Sequence, residues 1–334
     1  MIKGITIAGT IVSDTNKYLD VYPDEGNLTT VKHTSETFGG CVSNTSVVLK
    51  HIDASLHLEV LGSVGDDDIG YRFMQYMNDN QIICDRIEIL EGKQSAHVDA
   101  YVNQSNGKRT FFYQEGANVY FGKNFPSCET THLHIGYLLL LPFLDEMEQE
   151  NRSRLSFVLE KMRTKGVRIS ADLISEQSSR YKEVVHSALP YLDDLIINEI
   201  EAIKIAGTHV EDINNVTVDE IKSAALHIKK LGVIKLVVIH SPEFGLIYDG
   251  AKFVIVPSLE IDQSKIVNSV GAGDSFCAAV LYGIYKKYSY EYLLRLASCV
   301  AFDVLLSDTP KPLSKDETKF IKYEKEYRRR KLCL

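Results

Sequence analysis

From about residue 130 onward, short apolar runs alternate with longer amphipathic stretches, and no other feature constrains the fold as tightly. His132–Leu139, Val167–Asp172, Asp194–Asn198 and Lys235–His240 read as strands. Between them, Glu148–Lys165, Glu176–Leu189, a segment from Glu199 and Val218–Leu231 read as helices. Parallel strands need a crossover, usually a helix, so this alternation predicts an α/β fold: a three-layer α/β/α sandwich around a mostly parallel sheet. No internal repeat or low-complexity linker interrupts it, so one continuous domain is expected over residues 1–334.

Two segments depart from the pattern. Lys17–Phe38 is polar and strand-like. Ala96–Gln114 holds two alternating runs, His97–Val102 and Arg109–Tyr113, separated by Asn106-Gly107, a strong hairpin signal. Strands at about 15–38 and 96–115 are expected to form a small sheet standing off the main one, as an active-site lid. The tail, 311–334, ends in Tyr327-Arg328-Arg329-Arg330-Lys331 and reads as a surface helix with a solvated basic face.

The formal net charge of −8 argues against a nucleic-acid partner. No apolar run is long enough to span a bilayer, and the six cysteines show no Cys-x-x-Cys spacing. A reduced, cytoplasmic protein is the expectation.

The chemistry concentrates in Asn268-Ser269-Val270-Gly271-Ala272-Gly273-Asp274, where a loop opens into an apolar helical pattern. A helix N-terminus presents free amides and partial positive charge, and glycine lets an anion approach the backbone. A carboxylate at Asp274 repels a phosphate, but it fits a group that takes a proton from an attacking hydroxyl. The segment therefore suggests phosphoryl transfer to an alcohol. Gly39-Gly40-Cys41-Val42-Ser43-Asn44 is a second glycine turn before a helix, where a ligand could lie against the backbone. Leu61–Gly70, with Asp66, Asp67 and Asp68 in a row, lacks the ligand spacing of a calcium loop and reads as structural. Asn198-Glu199-Ile200-Glu201 closes a strand, where ligands of parallel sheets bind. Glu201 could hold hydrated Mg²⁺, or could serve only the helix dipole.

Taken in order from Gly9 to about Asp308, these segments resemble the ribokinase-like carbohydrate kinases, the PfkB family. Gly39-Gly40 with Asn44 is similar to the family's N-terminal signature, Asn198–Glu201 to its Asn-x-x-Glu magnesium motif, and Gly271–Asp274 to its C-terminal signature. The resemblance implies a β lid over a sugar and ATP-dependent phosphorylation of a hydroxyl on a sugar or related small polyol. Asp274 would be the general base and Gly271, Ala272 and Gly273 the anion hole. Asp14, Gly39, Gly40 and Asn44 would bind the acceptor. Asn198 and Glu201 would serve ATP and Mg²⁺, with Glu201 linked to the metal through water. An exposed lid edge would suit a lid-to-lid homodimer.

The chain also departs from the family pattern. Asn268 stands where many relatives carry Asp at a monovalent-cation site. The strand before His240-Ser241-Pro242 usually runs into Thr-x-Gly, and Pro242 has no amide to offer a phosphate. His240 would donate instead or simply pack, and Gly245 follows in the same nucleotide segment. Arg109 on the lid could meet a phosphate or carboxylate on the acceptor, or stand as a solvated strand charge. A nucleoside acceptor would want an aromatic wall, for which Tyr101, Phe112 and Tyr137 are the candidates. A sugar phosphate, and a non-catalytic binder of the same fold, are the remaining readings.

Overall fold

A computed structural model describes every residue except 106–107, 176–179, 211, 214–215 and 333–334, and the side chain of residue 150. Among the described residues fourteen strands run in chain order as β1 (Ile2–Gly9), β2 (Val12–Leu19), β3 (Val31–Gly39), β4 (Leu58–Leu61), β5 (Ser63–Gly65), β6 (Glu88–Leu90), β7 (His97–Asn103), β8 (Arg109–Gln114), β9 (Thr130–Leu138), β10 (Arg168–Leu173), β11 (Asp194–Asn198), β12 (Leu236–His240), β13 (Phe244–Tyr248) and β14 (Phe253–Pro257). Eight form the central sheet in the order β14-β13-β12-β11-β10-β9-β1-β4. The run from β12 to β4 is parallel, and β13 and β14 add an antiparallel edge.

Side-chain alternation divides the interior into two layers. Along β11, Ile196 joins a core with the helices Gly40–Ile52, Asp68–Asp79, Ala272–Lys286 and Tyr290–Leu305. Its neighbours Leu195 and Ile197 point the other way, toward Arg154–Arg163, Glu199–Ala206 and Val218–Lys230. Both faces of the sheet are thus covered, which is why its strands read as near-continuous apolar runs.

The small sheet stands apart in the order β3-β2-β7-β8. β2 pairs antiparallel with β3 and parallel with β7, and β7 pairs antiparallel with β8. The Asn106-Gly107 turn signal itself lies outside the described residues. Paired residues share a face, so Asp14, Thr37, Val98 and Tyr113 lie on one side of the lid. Two residues further along each strand, Asn16, Ser35, Ala100 and Phe111 share that side, followed by Tyr18, His33, Val102 and Arg109.

Three sequence expectations need correction. The helix expected over Glu148–Lys165 begins only at Arg154. A single turn at Gln149–Asn151 precedes it, Asn151 takes a positive φ of 56°, and Ser153 caps the true start by accepting from the Ser156 amide. The expected Glu176–Leu189 helix starts outside the described residues. Its described part is a wide turn at Tyr181–Val185 running into His186–Ala188, with Pro190 following. The tail is not one solvated helix: it makes two short turns, Glu317–Phe320 and Tyr323–Glu326, and folds back on the body. Arg329 pairs with Glu324 and donates to the Pro257 carbonyl, and Arg330 pairs with Glu243 at 2.8 Å.

The triple-acid turn is structural, as its sequence suggests. Asp67 caps the helix Asp68–Asp79 and accepts from the amide and hydroxyl of Ser95, while Asp66 accepts from the Gly92 amide. Cys41, Cys84, Cys128, Cys277 and Cys299 are unpaired and buried.

β1 ends where the functional loops begin. Gly9 has φ 139° and lies so close to β9 that an added Cβ would sit 1.5 Å from the Gly136 carbonyl oxygen. Gly9→Ala should therefore cost roughly 2–4 kcal/mol through strain and overpacking. Urea unfolding checks this; an unchanged midpoint would contradict the close approach.

Candidate active site

The carboxyl ends of the parallel strands converge on one region. β9 brings Tyr137, β10 Asp172, β11 Asn198 and β12 His240. Opposite them the helix Ala272–Lys286 starts after Gly271, whose φ of 82° suits glycine. Its first intrahelical donor is the Ser275 amide, bonded to the Gly271 carbonyl at 2.9 Å, so the amides ahead of it point outward. The Ala272 amide is partly turned aside, toward Ser269 O at 3.4 Å.

Asp274 lies in that first turn. Its Oδ2 accepts from Asn44 Nδ2 at 2.8 Å, and its Oδ1 accepts from the Tyr137 hydroxyl at 2.8 Å. Burial, reinforced by the nearby Asp172 charge, pushes its pKa from 3.8 up to about 7, against the pull of those two donors. A carboxylate near neutrality and fixed by two donors is suited to accept a proton.

On one side of Asp274 lies the glycine turn. Asp14 Oδ2 sits where a Cβ on Gly39 would fall, 2.1 Å from it, and a Cβ on Gly40 would come within 2.5 Å of the Thr10 carbonyl oxygen. Gly40 also needs its φ of 80° to start the Asn44 helix. Burial raises Asp14 to about 6. The lid face carrying Asp14 is the face carrying Arg109, whose Nη2 reaches Asn268 Oδ1 at 3.4 Å. Asn268 Oδ1 also accepts from the Val270 amide at 3.0 Å, so this residue braces the loop and meets the lid. Asp14, Gly39, Gly40, Asn44 and Asp274 are therefore brought together, with Arg109 at the rim.

On the other side lies a cavity of about 490 Å³ whose wall includes Asn198, His240, Gly273, Phe276, Phe302 and Arg330. The His240 ring packs 5.0 Å from that of Phe276, and burial pushes its pKa down to about 4, so it is neutral. It lies beneath the glycine turn, 3.4 Å from the Cβ position of Gly273. Pro242 and Ser241 line the same wall. Gly245 does not: it pairs with His240 in β13 and lies behind the wall, against Phe276 and Leu294.

Asn198 and Glu201 form a reciprocal cap. Asn198 Oδ1 accepts from the Glu201 amide at 2.8 Å, and Glu201 Oε2 accepts from the Asn198 amide at 3.0 Å. Glu201 Oε1 accepts from Ser175 Oγ at 2.7 Å, and burial raises Glu201 to about 7. Glu201 thus stands in the first turn of the helix Glu199–Ala206, where the dipole favours an acid. Each carboxylate oxygen keeps one lone pair, so the pair fits a contact to a hydrated cation through water.

Sequence reasoning singled out Asp274 but missed the Tyr137 hydroxyl that holds it. Tyr137, considered as an aromatic wall, instead spends its hydroxyl on Asp274. Tyr101 and Phe112 lie on the lid face away from Asp14, edge-on to each other at 5.6 Å. The exposed aromatic on the Asp14 face is Phe111, which strand alternation from Arg109 could have revealed. Asp172, Ser175 and Arg330 carried no local signal, because their importance comes from strands and a tail that meet only in the fold.

Residues 9–308 match the family model described as pfkB family carbohydrate kinase. The chain is 20% identical to the nucleoside kinase of Methanocaldococcus jannaschii, over 86% of this chain and 85% of that protein. It resembles the structure of Arabidopsis thaliana ribokinase complexed with ribose and ATP, with a TM-score of 0.78 at 19% identity over 96% of this chain and 98% of that one. The Burkholderia thailandensis nucleoside kinase in complex with inosine gives 0.73 at 16% identity, over 97% and 100%.

The raised pKa of Asp274 carries a stability consequence. Because the folded value lies above the unfolded one, this group's contribution is fully present below about pH 4 and lost as pH rises through about 7. Asp274→Asn, which stays neutral, should melt above the wild type at pH 8, and the gap should narrow as pH falls toward 4. Melting curves across pH test it, and a variant less stable at every pH would contradict the assignment.

Proposed function

The chain belongs to the pfkB family of carbohydrate kinases, enzymes that transfer a phosphoryl group to a hydroxyl, and on that premise we propose that it phosphorylates a hydroxyl of a sugar or related small polyol with ATP. The observation that carries this reading is the position of Asp274. It stands between the Asp14–Gly39–Gly40–Asn44 cluster and the 490 Å³ cavity, braced by two donors and raised to about 7.

In this reading the acceptor lies on the glycine turn with a hydroxyl toward Asp14 and Asp274. As the hydroxyl oxygen bonds to the γ-phosphorus, its proton passes to an Asp274 carboxylate oxygen and the bond to the departing ADP breaks. The amides of the Gly271–Gly273 turn face the charge that develops on the transferred group, with Ala272 contributing least because it also leans on Ser269. ATP would occupy the cavity, whose apolar wall includes Phe276 and Phe302. Mg²⁺, when bound, neutralises phosphate charge, and Asn198 and Glu201 would hold it through water. Arg330, from the folded-back tail, and neutral His240 complete the wall where Pro242 offers no amide.

A nucleoside acceptor is the second reading. Phe111, 60% exposed, lies on the Asp14 face of the lid, on the same strand face as Arg109. A ring and a guanidinium above the glycine turn suit a flat base.

Asp274→Asn should lower kcat by on the order of 10²–10⁴-fold while leaving acceptor KM little changed, since it removes the base and keeps the shape. Near-normal turnover would overturn the assignment. Phe111→Ala separates the acceptor readings: a rise in KM for nucleosides alone supports the second, and an equal effect on sugars and nucleosides contradicts it.

A further inference from the structure

Beneath Asp274, four side chains from four elements meet in the interior. Cys41 comes from the Gly40–Ile52 helix, His134 from β9, Asp172 from β10 and Cys277 from the Ala272–Lys286 helix. All four are less than one-tenth exposed. Ligand atoms of Cys41, His134 and Asp172 lie within 4.8 Å of one another. His134 Nε2 is 3.4 Å from Asp172 Oδ1 and 3.6 Å from Cys277 Sγ.

The imidazole is oriented from behind. His134 Nδ1 lies 3.0 Å from Ser170 Oγ, and the Ser170 hydroxyl also donates to the Leu133 carbonyl at 3.4 Å. With that proton on the Leu133 carbonyl, Ser170 accepts from Nδ1–H, and this is the tautomer that turns the Nε2 lone pair inward for a metal. Metal-bound histidines are commonly fixed this way. Asp172 Oδ1 is buried and has no hydrogen-bond partner. His134 Nε2 and Asp172 Oδ1 face each other at 3.4 Å in the interior, where either a proton or a metal cation joins them.

The space is kept clear. A Cβ on Gly136 would fall 1.7 Å from Asp172 Oδ1 and 2.9 Å from Cys41 Sγ. Metal–ligand bonds of about 2.0–2.3 Å place tetrahedral ligand atoms roughly 3.3–3.8 Å apart, the spacing that His134 makes with Asp172 and Cys277.

We propose that Cys41, His134 and Asp172 form a buried site for one thiophilic divalent cation, of which Zn²⁺ is the representative, with the Cys277 sulfur beside the imidazole. Thiolate, imidazole and carboxylate together select such an ion over Mg²⁺ or Ca²⁺, which prefer all-oxygen shells. One thiolate, one carboxylate and a neutral imidazole balance the charge of the ion. The Cys41 thiol proton displaced on binding goes to solvent. The site joins two strands and one helix behind Asp274, so the ion acts as a staple for that region. It is independent of the acceptor's identity and of the phosphoryl-transfer reading.

The test is metal titration of the full chain, stripped with chelator and reduced. Co²⁺ should bind at one equivalent and give intense tetrahedral visible bands together with a thiolate-to-metal charge-transfer band. Zn²⁺ should displace it and raise the melting temperature. Cys277→Ser should keep the charge-transfer band, and Cys41→Ala should abolish stoichiometric binding. Failure of the stripped wild type to bind Co²⁺ stoichiometrically, or a spectrum without the thiolate band, overturns the proposal with no variant needed. So does undiminished binding by a folded Cys41→Ala chain.

Discussion

The structure turns on a buried carboxylate held by two hydrogen bonds. Asp274 begins one helix, Asn44 comes from the first turns of another, and Tyr137 closes a central strand. These contacts span 230 and 137 residues of sequence, so the site exists only when both halves of the chain are in place. Two donors do not fully compensate the desolvation of a carboxylate, and its pKa stays near 7. In the proposed reaction that residual cost is what would suit the group to act as base, since a fully solvated aspartate holds a proton far more weakly.

The surroundings follow from this placement. The parallel strands end together, so their last residues form one floor, and the antiparallel β13 and β14 extend it under the cavity. The lid leans on the body through Arg109 and Asn268, on the loop that carries Gly271. Asn198 and Glu201 cap a helix and point it at the same floor. The Cys41–His134–Asp172–Cys277 cluster lies directly behind, where Asp172 acts on the charge of Asp274.

Much of this was legible in the sequence because it depends on short-range patterns. Apolar periodicity marks β9 to β12 and the helices between them, and Gly39-Gly40 and Gly271–Asp274 announce backbone turns that only glycine makes easily. What stayed hidden depends on distant contacts. Tyr137 looks like one more aromatic until Asp274 is placed beside it. The basic tail looks solvated until Glu243 and Glu324 are found across from it. Tyr101 and Phe112 suit stacking by residue type, but β7–β8 register turns them away and presents Phe111 instead. Register sets which face each lid residue occupies, and the turn signal at Asn106-Gly107 alone does not determine it.

The most direct measurement is acceptor-dependent ADP release by the wild-type chain with ATP and Mg²⁺, across sugars, polyols, nucleosides and sugar phosphates, with the product identified by mass and phosphorus NMR. Stoichiometric ADP formation with the new phosphate on an acceptor hydroxyl is the predicted result. ATP bound without consumption in the presence of every acceptor would contradict a catalytic role for Asp274 and its two-sided site.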